Sequence, residues 1–337
     1  MASAYQAARQ RAAWIDRSAR GRIVVSGKDR ASYLQGLLTN DIVALAAGTG
    51  CYAAYLTPQG RMISDLRVYE LGDVILLELP SVETKKAVLE KLDQFIFSED
   101  VQLGDVTEAF AQIAVIGPAS SQVVGALLGE SATGLAALGE YACLRGSIAG
   151  GAAIVTRISD AGEPGFDVYI ERARLAALTT GLAAAGLTEV DTETAEILRV
   201  EGGVPVFHQD MDEDTIPLEA GIEARAINMN KGCYVGQEVI VRVLHRGHGR
   251  VARKLAGLTI DGDAVPSRGA AVTNGDQEIG KITSAVRSTA LDRPIALAYL
   301  HRDFLQIGTK VSVGAANALV TALPFVTTDS SQPDRSR

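Results

Sequence analysis

The sequence predicts an α+β fold that ends in a small all-β unit. Helical and strand patterns alternate over the first 245 residues, and after about residue 249 only short strand patterns recur. The chain has 337 residues, of which 47% are hydrophobic and 21% are charged, so it is long enough for two or three packed domains. We therefore expect a mixed helix-and-strand body followed by a separate β-rich unit.

The first part of the chain predicts an antiparallel meander. Apolar and β-branched runs occupy residues 22–26, 51–56, 62–69 and 74–79, and residues 57–60 (Thr-Pro-Gln-Gly) have the chemistry of a turn. Because the last three runs are joined by short turns, we expect them to be neighbouring strands of one sheet.

Amphipathic helices lie between and after these strands. Asp29 and Ser81 each precede a stripe of apolar residues at helical spacing, so each is expected to cap a helix. Further helices are predicted at residues 120–128, 172–185 and 192–200, and further strands at residues 101–106, 112–116, 141–144, 152–158 and 166–170.

The C-terminal part has a different pattern. Short apolar runs recur roughly every 8 to 12 residues, which is typical of a small sandwich or barrel. They cover residues 254–260, 270–273, 278–286, 295–300, 310–313 and 318–321. Residues 327–337 are polar and predict a disordered tail.

Composition excludes several classes of protein. A net charge of −8 argues against a chain that coats nucleic acid over its whole surface. The three cysteines have no CxxC spacing, so we read them as reduced thiols in a cytosol-like compartment and predict a cytoplasmic protein without a metal site. No apolar run approaches the roughly 20 residues that span a bilayer, so no membrane association is expected.

The most informative stretch is residues 231–238, Lys-Gly-Cys-Tyr-Val-Gly-Gln-Glu, which we call the signature loop. A thiol at Cys233, two residues from Lys231 and beside flexible glycines, is an arrangement that can expose a reactive sulfur. The alternative is a small buried cysteine in a turn. Spacing alone does not separate these two interpretations.

The signature loop resembles the K-G-C-[YF]-x-G-Q-E motif of the YgfZ-like folate-binding proteins, which are relatives of the glycine cleavage T-protein. Other segments are similar to that superfamily in the same order: residues 27–30, 33–37 and 39–41 near the start, then residues 198–203, Asp210 and residues 217–221. The resemblance implies a trefoil of three domains, with two interlocked α/β domains and a C-terminal antiparallel β-barrel. The expected boundaries are 1–248 for the folate-binding body, 249–326 for the barrel and 327–337 for the tail.

The resemblance also implies a cofactor, partners and a site. The implied cofactor is tetrahydrofolate or a one-carbon derivative, and the implied partners are iron–sulfur proteins or their assembly factors, and tRNA. A buried carboxylate can accept two parallel hydrogen bonds from a pterin ring, and Glu201 stands where the superfamily has that group. The predicted cofactor-binding residues are Glu201, Arg199, Tyr234, Gln237 and Arg242, and the predicted catalytic residues are Cys233, Lys231 and Asp65.

One departure from the superfamily pattern concerns Asp65. T-protein relatives carry paired aspartates at this point, whereas this chain has Ser64 followed by Asp65. The sequence therefore leaves open whether the surviving acid is the reactive one. It also leaves open the state of residues 238–244, whose valines and isoleucine favour a strand while their i, i+4 pairs, and the resemblance, favour a helix.

Three functions remain possible at this stage. The first is a folate-binding accessory protein that supports iron–sulfur cluster assembly or repair through Cys233. The second is a folate-dependent aminomethyl or one-carbon transferase of the T-protein type. The third is a tRNA-binding module, suggested by a run of cations without an acid among them: Arg242, His245, Arg246, His248, Arg250, Arg253 and Lys254.

Overall fold

A computed structural model describes residues 3–245 and 250–327 of the protein, arranged as two open sheets and a closed barrel. The helices are α1 (Ala4–Gln10), α2 (Arg30–Leu37), α3 (Val82–Asp93), α4 (Ser120–Leu128), α5 (Leu175–Ala184), α6 (Thr192–Glu201), α7 (Pro217–Ala220), α8 (Glu223–Ala226) and α9 (Gln237–His245). The predicted tail lies almost wholly outside the described residues.

The strands of the body are β1 (Ala13–Asp16), β2 (Gly21–Ser26), β3 (Thr49–Leu56), β4 (Met62–Glu70), β5 (Ile75–Leu79), β6 (Gln102–Asp105), β7 (Phe110–Ile116), β8 (Cys143–Ile148), β9 (Gly151–Ile158), β10 (Gly165–Glu171) and β11 (Thr188–Glu189). The strands of the barrel are β12 (Arg253–Ile260), β13 (Ala271–Asn274), β14 (Gln277–Ser288), β15 (Arg293–His301), β16 (Lys310–Val313) and β17 (Ala316–Thr321).

The five-stranded sheet has the order β3-β4-β5-β2-β6 and contains the predicted meander. Helices α2 and α3 cover one face, where Leu34, Val88 and Leu92 are fully buried. Ser81 caps α3 as expected, because its side chain accepts a hydrogen bond from the Thr84 backbone N–H. Asp29 precedes α2, but its carboxylate accepts from the Asp100 N–H, so it joins two loops and does not cap the helix.

The six-stranded sheet has the order β11-β1-β7-β10-β9-β8. Helices α4 and α5 pack on one face, while α1 and α6 pack on the other through small residues such as Ala8. Its strand β1 comes from the start of the chain and pairs with β7, which lies about 100 residues later. The whole five-stranded sheet is built between these two strands, so the two sheets interlock in sequence.

The C-terminal unit is a closed barrel of six strands in the order β12-β15-β14-β13-β16-β17. All six predicted strands of this region are present, and neighbouring strands are antiparallel. The predicted fold class, two interlocked α/β domains with an antiparallel barrel, is confirmed. The exact domain boundaries stay a prediction.

Sequence reasoning missed α1, β1 and the short helices α7 and α8, which lack a periodic apolar pattern of their own. The ambiguous segment at 238–244 is helical and belongs to α9. Within the described ranges, 3–245 and 250–327, no helix has the length and apolar character needed to cross a membrane.

Candidate functional site

A cavity of about 280 Å³ lies between the two sheets and helix α6, and we call it the central cavity. Its walls come from β1 and the turn after it, from β4 and β5, from the turn after β9, and from α6 with the segment that follows. The side chains most relevant to chemistry are charged: Arg17, Arg20, Asp65, Arg67, Glu78, Asp160, Glu196 and Arg199. Ile15, Leu66, Pro80 and Phe207 add apolar surface.

Asp160, in the turn after β9, pairs with three arginines of this wall. Its carboxylate accepts hydrogen bonds from Arg17 Nη1 at 3.0 Å, from Arg20 Nη2 at 3.3 Å, and from Arg67. Burial alone would raise the pKa of Asp160, but the charges of these three guanidinium groups hold it well below its ordinary value. Asp160 is therefore ionised and ties both sheets to one point.

Glu78 on β5 is the second carboxylate that several side chains of this wall share. Its Oε1 accepts from Arg20 at 2.5 Å and from Arg67 at 2.6 Å, and its Oε2 accepts from the Tyr169 hydroxyl at 2.5 Å. Burial opposes ionisation, yet the two arginines lower the pKa of Glu78 to about 2. Arg17 also lies 3.3 Å from Asp167, which is outside the cavity lining and whose pKa is raised chiefly by burial. This part of the wall is polar, and its arginines are paired with carboxylates.

Asp65 on β4 differs from these paired groups. Its Oδ2 accepts from the Tyr52 hydroxyl at 2.8 Å, whereas its Oδ1 is buried and has no hydrogen-bond partner among the described residues. Burial raises the pKa of Asp65 above its ordinary value, against the opposing effects of Tyr52 and Arg67. Asp65 is thus a cavity-lining carboxyl with acceptor capacity to spare.

Ser64, the residue that replaces an aspartate of the superfamily pattern, lies on the other side of β4. Side chains alternate along a strand, and Ser64 is fully buried with its hydroxyl donating to the Asp65 carbonyl oxygen at 2.5 Å. It is outside the lining of the central cavity, while Asp65 belongs to it. The acid that this chain lacks would point away from the cavity.

Glu201, the predicted pterin ligand, is paired with protein groups on every side. Its carboxylate is fully buried, outside the lining of the central cavity. Its Oε2 accepts from Tyr5 and Arg9, and its Oε1 accepts from the Ser288 hydroxyl at 2.6 Å and the Ala290 N–H at 3.2 Å. Because four donors use the acceptor sites of a carboxylate, Glu201 acts here as an anchor that joins α1, α6 and the barrel.

The carboxylate of α6 that does line the central cavity is Glu196, which sequence reasoning missed. Arg199 donates to it from Nε at 2.6 Å and from Nη2 at 2.5 Å, and Gln209 donates from Nε2 at 2.7 Å. Arg199, a predicted cofactor-binding residue, also lines the cavity, and its Nη1 pairs with Asp210 at 2.8 Å. The spacing Glu196–Arg199, one turn of a helix, was the available signal.

Lys231 was predicted to act beside Cys233, and its ammonium group is bonded to backbone carbonyls. Its ammonium group donates to the carbonyl oxygens of Gln35, Leu38 and Asn40 at 2.6 to 2.7 Å, which satisfies carbonyls at the C-terminal end of α2. Burial lowers the pKa of Lys231 to about 8. A catalytic role beside the thiol is not supported, because the three carbonyls hold the ammonium group.

Cys233 is exposed, so the alternative of a buried cysteine is wrong. Helix α9 begins at Gln237, so the thiol precedes the first helical turn. Tyr234 is buried beneath the Lys231 ammonium, 5.2 Å from its ring centre, and Arg242 is exposed on α9. These residues and Gln237 lie outside the lining of the central cavity.

The signature loop is held tightly on both sides of the thiol. Val235 N–H donates to the Gly36 carbonyl at the end of α2. Gly236 has φ +85°, and a Cβ there would lie 2.6 Å from the Thr57 carbonyl oxygen, so only glycine fits against the β3–β4 turn. Lys231 and Gly236 therefore fix the loop that presents Cys233.

The basic run after Arg242 is partly neutralised. Arg253 pairs with Glu219 and Lys254 pairs with Glu223, at 3.3 and 2.9 Å. Arg246 and His248 lie outside the described residues. Within the described parts of the chain, no cluster of three histidine, cysteine, aspartate or glutamate side chains could hold a metal ion. A tRNA partner stays a prediction.

Comparisons with known proteins agree with this architecture. Residues 1–231 match the model of the GCVT N-terminal domain, and residues 253–327 match the glycine cleavage T-protein C-terminal barrel domain. The aminomethyltransferase of Rubrobacter xylanophilus is 33% identical over 88% of this chain and 78% of its own length. That of Streptomyces coelicolor is 31% identical over 95% of this chain and 87% of its own length.

The fold comparison points the same way. The crystal structure of glycine cleavage system aminomethyltransferase T from Bartonella henselae superposes with a TM-score of 0.86, covering 96% of this chain and 89% of that one at 22% identity. Tetrahydrofolate is the cofactor of this family, so the cofactor expectation is confirmed at that level. The chain belongs to the glycine cleavage T-protein family.

Proposed function

We propose that this protein binds a tetrahydrofolate in the central cavity and acts as a folate-dependent one-carbon transferase of the T-protein type. The observation that carries the proposal is Asp65, a half-buried residue of the cavity lining whose buried Oδ1 is unpaired among the described residues. The named relatives are aminomethyltransferases, which favours transfer over a purely accessory role.

The residues of the central cavity fit such a ligand. Its volume of about 280 Å³ lies near the lower end of ligand pockets, about 300 Å³, and so suits a flat ring system better than a whole elongated molecule. Apolar faces from Leu66, Pro80 and Phe207 suit a planar ring. Open acceptor positions remain on Asp65 and on Oε2 of Glu196, as ring N–H groups require.

The protein's own contribution to transfer is proton handling and orientation. Tetrahydrofolate supplies the amine nitrogen that takes up a one-carbon unit. Burial raises the pKa of Asp65, which favours its use as a group that accepts a proton and returns it. The Tyr52 hydroxyl fixes its orientation, and the ring of Tyr52 is held between Tyr141 and the Arg225 guanidinium. The ion pairs of Arg17, Arg20 and Arg67 with Glu78 and Asp160 keep the cavity wall beside it polar.

Calorimetric titration with tetrahydrofolate, combined with a turnover assay using an aminomethyl donor, tests this proposal. We expect the wild-type protein to bind tetrahydrofolate. Asp65→Asn should keep its affinity within about tenfold. Its turnover should fall by about 10²- to 10⁴-fold, which is the usual contribution of a general acid or base. The matched control is Ser64→Ala, on the opposite side of β4. Absence of binding by the wild type would refute the proposal, as would an Asp65→Asn variant with full turnover.

The same titration on Glu196→Gln and Glu201→Ala separates two candidate ligands for the ring. We expect Glu196→Gln to weaken binding without loss of stability, because Glu196 is partly exposed. Glu201→Ala should instead lower stability, because it leaves Arg9 without one of its two buried partners. Weaker binding by a stably folded Glu201→Ala would return the role to Glu201.

A second candidate is the accessory role of the YgfZ-like subtype, in which Cys233 supports iron–sulfur cluster assembly or repair and so tRNA modification. The specific observation in its favour is that a tightly held loop presents Cys233 to solvent, outside the central cavity. Such a thiol can serve as a redox group or a transient sulfur or iron ligand toward a protein partner.

Complementation of cells that lack the protein decides between the candidates. If the accessory role holds, Cys233→Ala loses iron–sulfur enzyme activity while its tetrahydrofolate binding is unchanged. Full complementation by Cys233→Ala excludes the thiol, and transfer activity then stands alone. A gel-shift series at increasing salt tests direct tRNA binding, and no shift at low salt removes the tRNA-binding alternative.

A further inference from the structure

Residues 38–40, which follow helix α2, connect the signature loop to strand β3, and we call them the bridging segment. The Thr39 N–H donates to the Ala54 carbonyl oxygen at 3.1 Å. The Thr39 hydroxyl accepts from the Ala54 N–H at 2.8 Å and donates to the Ala226 carbonyl oxygen at 2.6 Å. The bridging segment therefore lies along β3, which is the edge strand of the five-stranded sheet, and is bonded to it.

Lys231 fixes the bridging segment from the side of the signature loop. Its ammonium group donates to the carbonyl oxygens of Leu38 and Asn40 at 2.6 and 2.7 Å. Together with the Gln35 carbonyl, these acceptors use all three N–H donors of the buried lysine. The lysine of the signature loop therefore sets the position of the backbone that is bonded to β3.

The Asn40 side chain extends this connection toward Asp65. Its Nδ2 donates to the carbonyl oxygens of Tyr52 and Arg225 at 2.8 and 3.0 Å, which uses both of its N–H donors. Its Oδ1 accepts from the Asp41 N–H at 2.9 Å. Asn40 therefore holds strand β3, which carries Tyr52, and helix α8, which carries Arg225, in fixed positions relative to each other.

The side chains of the two residues that Asn40 holds are in contact. The Arg225 guanidinium lies over the Tyr52 ring, 5.2 Å from its centre, and the Tyr141 ring stacks with it at a centroid distance of 6.4 Å. The Tyr52 hydroxyl donates to Oδ2 of Asp65 at 2.8 Å. Because a tyrosine side chain turns about only two torsions, a fixed backbone and a packed ring determine where this hydroxyl lies.

We propose that Asn40 is a positioning residue for the transfer reaction: it holds the Tyr52 hydroxyl against Asp65 and is itself fixed by Lys231. The proposal rests on the proposed function, in which Asp65 accepts and returns a proton. Hydrogen bonds of 2.7 to 2.8 Å join Lys231 to Asn40, Asn40 to Tyr52, and Tyr52 to Asp65. The signature loop thus acts on the central cavity through residues that do not line it.

The pH dependence of transfer reports on this arrangement. Burial raises the pKa of Asp65, and the Tyr52 hydrogen bond opposes that effect because it favours the ionised carboxylate. A misaligned Tyr52 hydroxyl therefore raises the pKa of Asp65 further, and the acid limb of a rate that needs the carboxylate moves to higher pH. Among the described residues, Asn40 forms no hydrogen bond with the other charged groups that line the cavity: Arg17, Arg20, Arg67, Glu78, Asp160, Glu196 and Arg199.

Steady-state kinetics over a range of pH, with tetrahydrofolate and an aminomethyl donor, test the proposal on Asn40→Ala, Tyr52→Phe and the double variant. We expect Asn40→Ala to lower kcat about 10- to 100-fold and to keep KM for tetrahydrofolate within about twofold, because a displaced reacting group affects the transition state more than binding. Its acid limb should move to higher pH, as in Tyr52→Phe. The double variant should lose no more than about twofold beyond Tyr52→Phe, since Asn40 acts through Tyr52.

The matched control is Asn274→Ala, because Asn274 Nδ2 also donates to a backbone carbonyl, that of Lys310 at 3.0 Å, but in the barrel. It should leave kcat and the pH profile unchanged. Asn40→Ser is the second variant. Its hydroxyl can still accept from the Asp41 N–H but has one donor where the amide has two, so it should fold and show the same kinetic change. Lys231→Met should move the acid limb in the same direction.

The outcomes separate this proposal from the proposed function. If the wild type is active and the folded Asn40 variants keep its kcat and its pH profile, only the positioning role fails. It also fails if the losses of Asn40→Ala and Tyr52→Phe multiply in the double variant. If the wild type has no transfer activity, the proposed function fails, and NMR titration of the Asp65 carboxyl in the wild type and Asn40→Ala then decides the positioning role. The same titration curve in both proteins would overturn it, and a curve displaced to higher pH in Asn40→Ala would support it.

Discussion

The central cavity and the signature loop use their charged residues in opposite ways. The loop is contiguous in sequence, and its lysine donates all its hydrogen bonds to three backbone carbonyls, one in the last turn of α2 and two in the residues after it. The cavity wall is assembled from residues far apart in sequence, such as Arg17, Glu78 and Asp160, which meet only through tertiary pairing. A conspicuous motif therefore marks where the backbone is constrained, whereas the chemistry of a cavity can come from residues that no motif contains.

The largest effect should come from breaking the paired wall. Asp160→Ala leaves three guanidinium groups without a shared partner, and we expect a loss of about 3–5 kcal/mol in the free energy of unfolding. Urea denaturation measures it. The control, Asp73→Ala, removes an exposed partner of Arg145 and should change stability by less than about 1 kcal/mol. Equal losses of unfolding free energy for Asp160→Ala and Asp73→Ala would show that the buried ion pairs stabilise the fold no more than an exposed one.

Acid titration probes the same wall. The pKa of Glu78 is about 2 in the folded protein against an ordinary 4.5, so its stabilising contribution is complete above pH 4.5 and is lost as the pH falls toward 2. The loss should be roughly 3 kcal/mol, measured by denaturation at a series of pH values. Glu78→Gln should be less stable at pH 7 and should have a shallower slope over this range. An unchanged slope would show that Glu78 is not the titrating group.

The signature loop should respond less strongly. Lys231→Met removes the donor of three carbonyls and should lower stability by about 2–3 kcal/mol, because buried acceptors lose their partner. Thermal and urea unfolding measure the loss, and Cys233→Ser, an exposed position in the same loop, is the control with an expected change below about 0.5 kcal/mol. A stable Lys231→Met with altered thiol reactivity would instead restore the predicted role beside Cys233.

The smallest effect has the opposite sign. Burial raises the pKa of Asp65, so the folded state loses stability as the pH rises from the ordinary carboxyl value of 3.8 to the raised value. Asp65→Asn should therefore be more stable than the wild type at pH 7, while turnover falls. The gain should disappear as the pH falls below 3.8, where the carboxyl becomes protonated in both the folded and the unfolded state. If Asp65→Asn is instead less stable than the wild type at pH 7, Asp65 stabilises the fold in the same way as Glu78 and Asp160.

Much of the fold was readable from local patterns. The barrel strands and the meander have alternating or β-branched runs bounded by turn residues, and Ser81 stands where its cap chemistry required. Strand β1 was missed because residues 13–16 form only four positions between two arginine-rich stretches. Its identity as a strand comes from pairing with β7 and β11, which no local window contains.

The candidate site was harder to predict for a related reason. Asp65 and Arg199 were chosen from motif positions, and both line the central cavity. Glu201 belongs to the same motif, but the turn of helix α6 sends it toward Arg9 and the barrel while Glu196 faces the cavity. Helical phase relative to a distant cavity depends on packing, which the sequence alone does not specify.

The pairing of β1 with a strand about 100 residues later has a consequence for synthesis on the ribosome. When β1 emerges, its partner β7 is still about 100 residues from being made, so the first strand must wait unpaired until the entire neighbouring sheet has been translated. A fragment that ends between β1 and β7 leaves β1 without this partner strand. The six-stranded sheet can therefore be completed only after β7 has been translated. The central cavity between the two sheets forms after that.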